Sequence, residues 1–159
     1  MAIYMKYEGI EGDVTTKGFE KWIDLDSMQF GVGRAITMTA GKAANRSHGT
    51  PSFSEISVTR QMDISTTGLL QSCVAGTDGK KVEIAIVEVE AKEVKKYVSY
   101  ELENTMISSY SVSSGGGVPS ESLSLSYTKI TVTYTAKDAA NKAGKTPRVV
   151  YDLATAKAG

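Results

Sequence analysis

The chain is poor in the residues that most often carry chemistry. It has one cysteine, Cys73, and one histidine, His48, among 159 residues. A single cysteine excludes an internal disulfide and a cluster of thiolate metal ligands. A single histidine removes most zinc sites and most nucleophiles that histidine activates. The sequence therefore predicts no catalytic constellation, no cofactor and no metal site, and it argues against an enzyme.

Excess charge and long hydrophobic runs are also missing. Basic and acidic residues number 18 each, so no net charge attracts nucleic acid or an anionic membrane. No stretch approaches the ~20 apolar residues that span a bilayer. Lys6 and Glu8 interrupt the apolar start of the chain, so we expect no ordinary signal peptide. These features predict a cytoplasmic chain of one domain over residues 1–159, which would leave the cell only by another route.

The segment 96–135 has the clearest periodicity. Every second residue from Val98 to Val112 is mostly apolar and the other parity is mostly polar, which is typical of a strand with one buried face. The glycines at 115–117 and Pro119 mark a turn. In the strand that follows, the apolar parity switches at 128–129, as an inserted residue would cause. The pattern predicts a long, bent hairpin of the kind that builds barrels.

The rest of the chain also favours a curled sheet. Strand patterns occur at 3–8, 19–32, 53–63, 80–92 and 148–153, and the second of them has its own parity slip at 26–27. A stripe of Leu69, Leu70, Cys73 and Val74 between Ser65 and Gly76 predicts a short helix over 65–75, with Cys73 in the core. We therefore predict a mainly β fold, a small antiparallel β-barrel with one short helix. The C-terminal segment 137–159 is expected to be loosely ordered apart from its strand.

One long segment, 34–51, has no clear period. Unpatterned segments of this length are uncommon in compact domains and are often functional. Its polar residues include Lys42, Asn45, Arg46 and His48. Two interpretations remain open, a surface loop and a loop that folds onto a neighbouring subunit.

Two other patterns suggest sites only weakly. Residues 143–146 end like a phosphate-binding loop, but Ala139 stands where that motif needs glycine. Asp24 and Asp26 share one face of a strand and could bind a cation. No glycine-bearing calcium loop surrounds them, so a solvated strand end is the favoured interpretation.

Three segments occur in an order and separation that match a known family: GIEGDVTTKGFEKWIDLDSMQFGV, VTRQMDISTTGLLQSCVAG and YELENTMISSYSVSSGGGVPSESLSLSYTKITVTYT. Together they resemble the haemolysin-coregulated protein (Hcp) family, the tube subunit of the type VI secretion system. The resemblance extends from Ile3 to Thr135. The segment 136–159 matches only loosely, and the 34–51 loop matches in position more than in sequence.

The resemblance implies a barrel that closes into a hexameric ring, with rings stacked into a hollow tube that is secreted. Its partners would be copies of itself, effector proteins in the lumen, and the sheath and spike proteins of the machine. Gln29 would face the lumen and contact cargo, and the 34–51 loop would reach adjacent subunits or rings. The alternative is a monomeric β-barrel that binds a small ligand in its interior.

Overall fold

The structure is a computed structural model that describes residues 1–36, 49–136 and 144–159. Within these ranges it has twelve strands and one helix. The strands are β1 Ala2–Tyr7, β2 Ile23–Leu25, β3 Ser27–Gln29, β4 Val32–Gly33, β5 Ser52–Phe53, β6 Ile56–Gln61, β7 Lys80–Val89, β8 Val94–Ser113, β9 Ser120–Ser126, β10 Lys129–Tyr134, β11 Arg148–Asp152 and β12 Lys157–Ala158. The helix α1 is Thr66–Ala75. No helix in the described ranges is long and apolar enough to cross a membrane.

Every strand pair is antiparallel, and the sheet curls around one core. One path runs β12-β11-β10-β8-β7-β1-β2, and a second runs from β8 through β9 and β6 to β3. The 20-residue β8 belongs to both paths, because its first half pairs with β7 and β10 and its second half with β9. The mainly β fold with one short helix is confirmed. The ladders of the described strands do not close a full barrel, because no ladder joins β2 to β3 or β6, although the Asp26 N–H donates to the Thr59 carbonyl at 2.8 Å.

Both predicted parity switches coincide with places where the chain changes partners. β9 ends at Ser126 and pairs with the second half of β8, whereas β10 begins at Lys129 and pairs with the first half. At Asp26 the chain leaves β1 and joins β6. The extra residue rotates the strand by one position, so apolar side chains keep facing the core as the sheet bends.

A third switch lies inside β8, and the sequence-based prediction missed it. Asn104 has a left-handed backbone (φ 51°), and beyond it Thr105 and Ile107 are buried while Met106 is exposed. The predicted alternation is therefore wrong from Asn104 to Ser108. A second shift between Ile107 and Ser109 restores it, so that Tyr110 packs against the core and Ser109 and Ser111 are exposed as predicted. Asparagine tolerates the left-handed conformation better than most residues. Gly79 opposite is required, because a Cβ there would collide with Asn104.

The central strand β7 is covered on both faces, as its apolar residues on both parities predicted. Val82 and Ile84 belong to the main core, which is completed by apolar side chains of most other strands and by Leu69 of α1. Ala85 and Val87 belong to a second cluster on the opposite face, with Tyr4, Phe19 and Trp22. This outer cluster holds the segment that follows β1 against the sheet.

The helix forms where it was predicted, but its ends and faces differ. Ser65 does not cap it; its hydroxyl bonds to Asp63 instead, and Gly76 is extended rather than left-handed. Leu69 is fully buried, whereas Leu70 and Val74 of the predicted stripe are exposed. Beyond β11, residues 157–158 form β12 against Tyr151 and Asp152.

Candidate assembly and binding surfaces

One face of the sheet, here called the hydroxyl face, carries only uncharged polar side chains on three adjacent strands. The strands β3, β6 and β9 pair in register, with Gln29 opposite Ser57 and Ser57 opposite Ser124. The same alternation that buries one parity turns the other outward. The outward residues are Ser27, Gln29, Ser57, Thr59, Gln61, Ser120, Ser122, Ser124 and Ser126. The face can offer many weak hydrogen bonds and no fixed charge.

Gln29 lies on the hydroxyl face, next to the edge of this part of the sheet. It is exposed, whereas Met28 and Phe30 on either side are half-buried and pack against the core. Phe30 is held by Tyr100, with ring centroids 5.8 Å apart. The side chain of Gln29 therefore points away from the core, as predicted, and its contact with cargo stays a prediction.

The four polar residues predicted for an assembly loop, Lys42, Asn45, Arg46 and His48, lie outside the described residues. The described flanks show how that segment begins and ends. The strands β4 and β5 pair as a short ladder, and the Gly49 N–H donates to the Ala35 carbonyl at 2.8 Å. The chain on either side of the loop is therefore brought together at a hairpin base.

An aromatic stack and a hydrogen bond hold this hairpin base against the rest of the protein. Phe53 of β5 stacks on Tyr151 of β11 with centroids 4.6 Å apart. The Tyr127 hydroxyl donates to the Ser54 carbonyl at 2.8 Å, and burial raises the pKa of Tyr127 to about 12. The hydroxyl thus remains protonated and a donor throughout the physiological range.

A buried ionic network links the sheet to the start of α1. Arg60 of β6 and Glu121 of β9 face each other across the ladder, and both side chains are fully buried. The Arg60 guanidinium donates to Glu121 at 3.3 Å and also pairs with Asp63. The Thr66 hydroxyl donates to the second Glu121 oxygen at 2.6 Å. Each charge is thus met inside the protein, as burial of ions requires.

Asp63 is the link between this network and the helix. Burial alone would raise the pKa of Asp63, but hydrogen bonds from Ser65 and Arg60 outweigh it and hold the pKa below its usual value. The network was not predicted from the sequence. A signal was present, since Arg60 continues the buried parity of Ile56 and Val58, and an arginine on such a face needs a buried partner.

Asp24 and Asp26, considered above for a cation site, lie beside a hollow of about 350 Å³ that Asp13 and Asp63 also line. Burial, and then the negative charges of Asp26 and Asp63, raise the pKa of Asp24. Among the described residues no group of histidine, cysteine and carboxylate side chains is arranged to hold a metal ion. The hollow therefore has surplus negative charge without metal-binding geometry.

Comparisons with known proteins agree on one family. The family model described as "Type VI secretion system effector, Hcp" matches residues 4–134. A solved structure described as a type six secretion system protein is 26% identical, covers 99% of both chains and has a TM-score of 0.91. Hcp1 from Salmonella typhimurium is 19% identical over 99% of this chain and 98% of its own, with a TM-score of 0.77. A type VI secretion system effector from Yersinia pestis is 18% identical over 94% and 98%, with a TM-score of 0.75. No curated protein matches the chain.

Proposed function

The chain belongs to the Hcp family of the type VI secretion system, and we propose that copies of it close into a hexameric ring whose stacks form the secretion tube. Family membership establishes the broader role: the protein is a structural, self-assembling tube subunit that this system secretes. The match over residues 4–134 is the observation that carries the proposal.

The fold suits such an assembly. β2 and β12 end the longer path of strands, and β8 runs for 20 residues before the turn that leads to β9. Strand edges left open invite uncontrolled pairing, which a closed ring avoids by covering each edge with the next subunit. A head-to-tail contact closes into a ring, and stacked rings give an open-ended filament. We assign synthesis to the cytoplasm and export to a route that needs no ordinary signal peptide.

We assign the hydroxyl face to the lumen. An uncharged lining suits a tube that must hold effector proteins and then let them go, because weak hydrogen bonds hold cargo without the strength of buried ion pairs. The sheath and spike proteins would meet the outer surface and the tube end. The 34–51 loop would reach adjacent subunits or rings.

Replacing Gln29 by arginine is expected to reduce effector binding about tenfold or more while the ring stays intact. The substitution places one positive charge per subunit in the lumen. These charges repel one another, and they repel cargo that has a positively charged surface. The measurement is the amount of effector protein that co-purifies with the tagged ring from the producing bacterium.

The matched control is Gln71→Arg, which adds the same charge at an exposed position of α1. It should leave the effector yield unchanged. An intact Gln29→Arg ring with a full complement of effectors would refute the lumen role of this residue.

A further inference from the structure

The two ends of the longer strand path carry opposite charge. β2 ends the path on one side and β12 on the other. Around β2 lie Asp13, Asp24, Asp26 and Asp63, here called the acidic edge. On and around β11 and β12 lie Lys145, Arg148 and Lys157, here called the basic edge. We propose that the two edges are the two halves of one contact, in which the basic edge of one copy of this chain docks against the acidic edge of the next.

The acidic edge has negative charge that its own neighbours do not neutralise. Its hollow of about 350 Å³ is lined by four carboxylates and by no basic residue. Arg60 lies behind it, but that guanidinium is fully buried and is shared between Asp63 and Glu121. Asp24, Asp26 and Asp63 repel one another, and a cation that approaches from outside would relieve this repulsion.

The basic edge has the matching surplus. Lys145, Arg148 and Lys157 are exposed, and none of them forms an ion pair with another described residue. The outer side of β11 is also open: β12 pairs only with Tyr151 and Asp152, so Arg148 and Val149 have no described strand beyond them. A free strand edge flanked by cations can dock against an acidic surface.

Each edge also exposes an apolar side chain beside its charges. Ile64, next to Asp63, is 69% exposed, and Val149, next to Arg148, is 68% exposed. Interfaces typically combine apolar contacts with a charged rim that sets orientation. Because the complementary surfaces lie at opposite ends of one strand path, the fitting partner is a second copy of this chain in a head-to-tail arrangement, and not a two-fold dimer. This contact specifies which surfaces of neighbouring subunits meet in the ring proposed above, and it rests on that ring.

The test uses two charge-reversed forms of the full chain. One carries Asp13→Lys, Asp24→Lys and Asp26→Lys, which leaves Asp63 as the one carboxylate of the former acidic edge and makes both edges basic. Asp63 is left in place because it serves the buried network. The other carries Arg148→Glu and Lys157→Glu, which makes both edges acidic. Each form alone should need at least about tenfold more protein than the wild type to form rings, because like charges would meet at every contact. Native mass spectrometry at a series of concentrations gives the result, and thermal unfolding shows that each form is folded.

An equal mixture of the two forms should restore rings that contain both, since an acidic edge again meets a basic edge at each contact. High salt should weaken wild-type rings, because exposed charges are screened. Control reversals at exposed positions away from both edges, Lys92→Glu and Asp78→Lys, should leave assembly unchanged.

The possible results separate this contact from the ring itself. If the wild type forms rings and both reversed forms assemble equally well, the edge contact is overturned and the ring itself still stands. Rings lost in each form but not restored by mixing would also overturn the pairing of these two edges. A wild type that forms no ring would overturn the proposed ring, and the contact with it. Should a reversed form fail to fold, a neutral form of the same edge replaces it, Asp24→Asn with Asp26→Asn or Arg148→Gln with Lys157→Gln. It should show the same weakened assembly to a smaller degree.

Discussion

Replacing Arg60 by methionine is expected to lower the free energy of unfolding by about 3–5 kcal/mol. Arg60 is fully buried between Glu121 and Asp63. Its loss would leave the Glu121 carboxylate inside the protein without a counter-charge, and Asp63 would lose its tie from the sheet to the start of α1. Equilibrium unfolding in denaturant, followed by circular dichroism, measures the change.

A second form separates the charge effect from a packing effect. Arg60→Met combined with Glu121→Leu removes both charges and fills similar space, so most of the lost stability should return, as it does when whole buried ion pairs are replaced by apolar residues. If the single and double forms are equally unstable, the network does not balance charge as described.

Replacing residues 37–48 by a short glycine-serine turn is expected to abolish stacked tubes while the body of the protein stays folded. The base of the loop has contacts of its own among the described residues, because β4 and β5 pair with each other and Phe53 stacks on Tyr151. If each loop contributes about 1 kcal/mol to the contact between rings, a hexameric ring loses about 6 kcal/mol, or about 10⁴-fold in association. Electron microscopy of concentrated protein shows tube length directly.

A companion form keeps the length of the loop and changes its chemistry. Alanine at Lys42, Asn45, Arg46 and His48 should shorten tubes if the contact depends on these side chains, and leave them intact if it depends on the loop backbone. Tubes of normal length from the shortened chain would contradict the assembly role of the whole loop.

The sequence predicted the bends of the sheet where an apolar pattern was long enough to show a change of parity. The switches at 26–27 and 128–129 could both be read this way, and both correspond to a change of strand partner. The switch at Asn104 could not, because the shift between Ile107 and Ser109 soon reverses it and returns Tyr110 to the core, on the parity that the sequence predicted. Two opposite shifts within a few residues cancel, so the apolar residues before and after them keep the same parity.

The candidate surfaces were less accessible to sequence analysis for a physical reason. Gln29 could be placed outward from its two apolar neighbours alone, since alternation is a local property of a strand. The Arg60 network and the two charged edges join residues far apart in the chain, such as Arg60 with Glu121 and Asp13 with Asp63. Their proximity depends on strand order, which the composition and periodicity of separate segments do not determine.

The ring is the central claim, and the native mass of the purified protein with negative-stain images of the same sample tests it most directly. A mass of six subunits and rings with a central hole are expected for a tube subunit. A strict monomer at high concentration, without rings in the images, would contradict spontaneous ring formation and would leave two options, a ring that assembles only with help or a barrel that binds a small ligand.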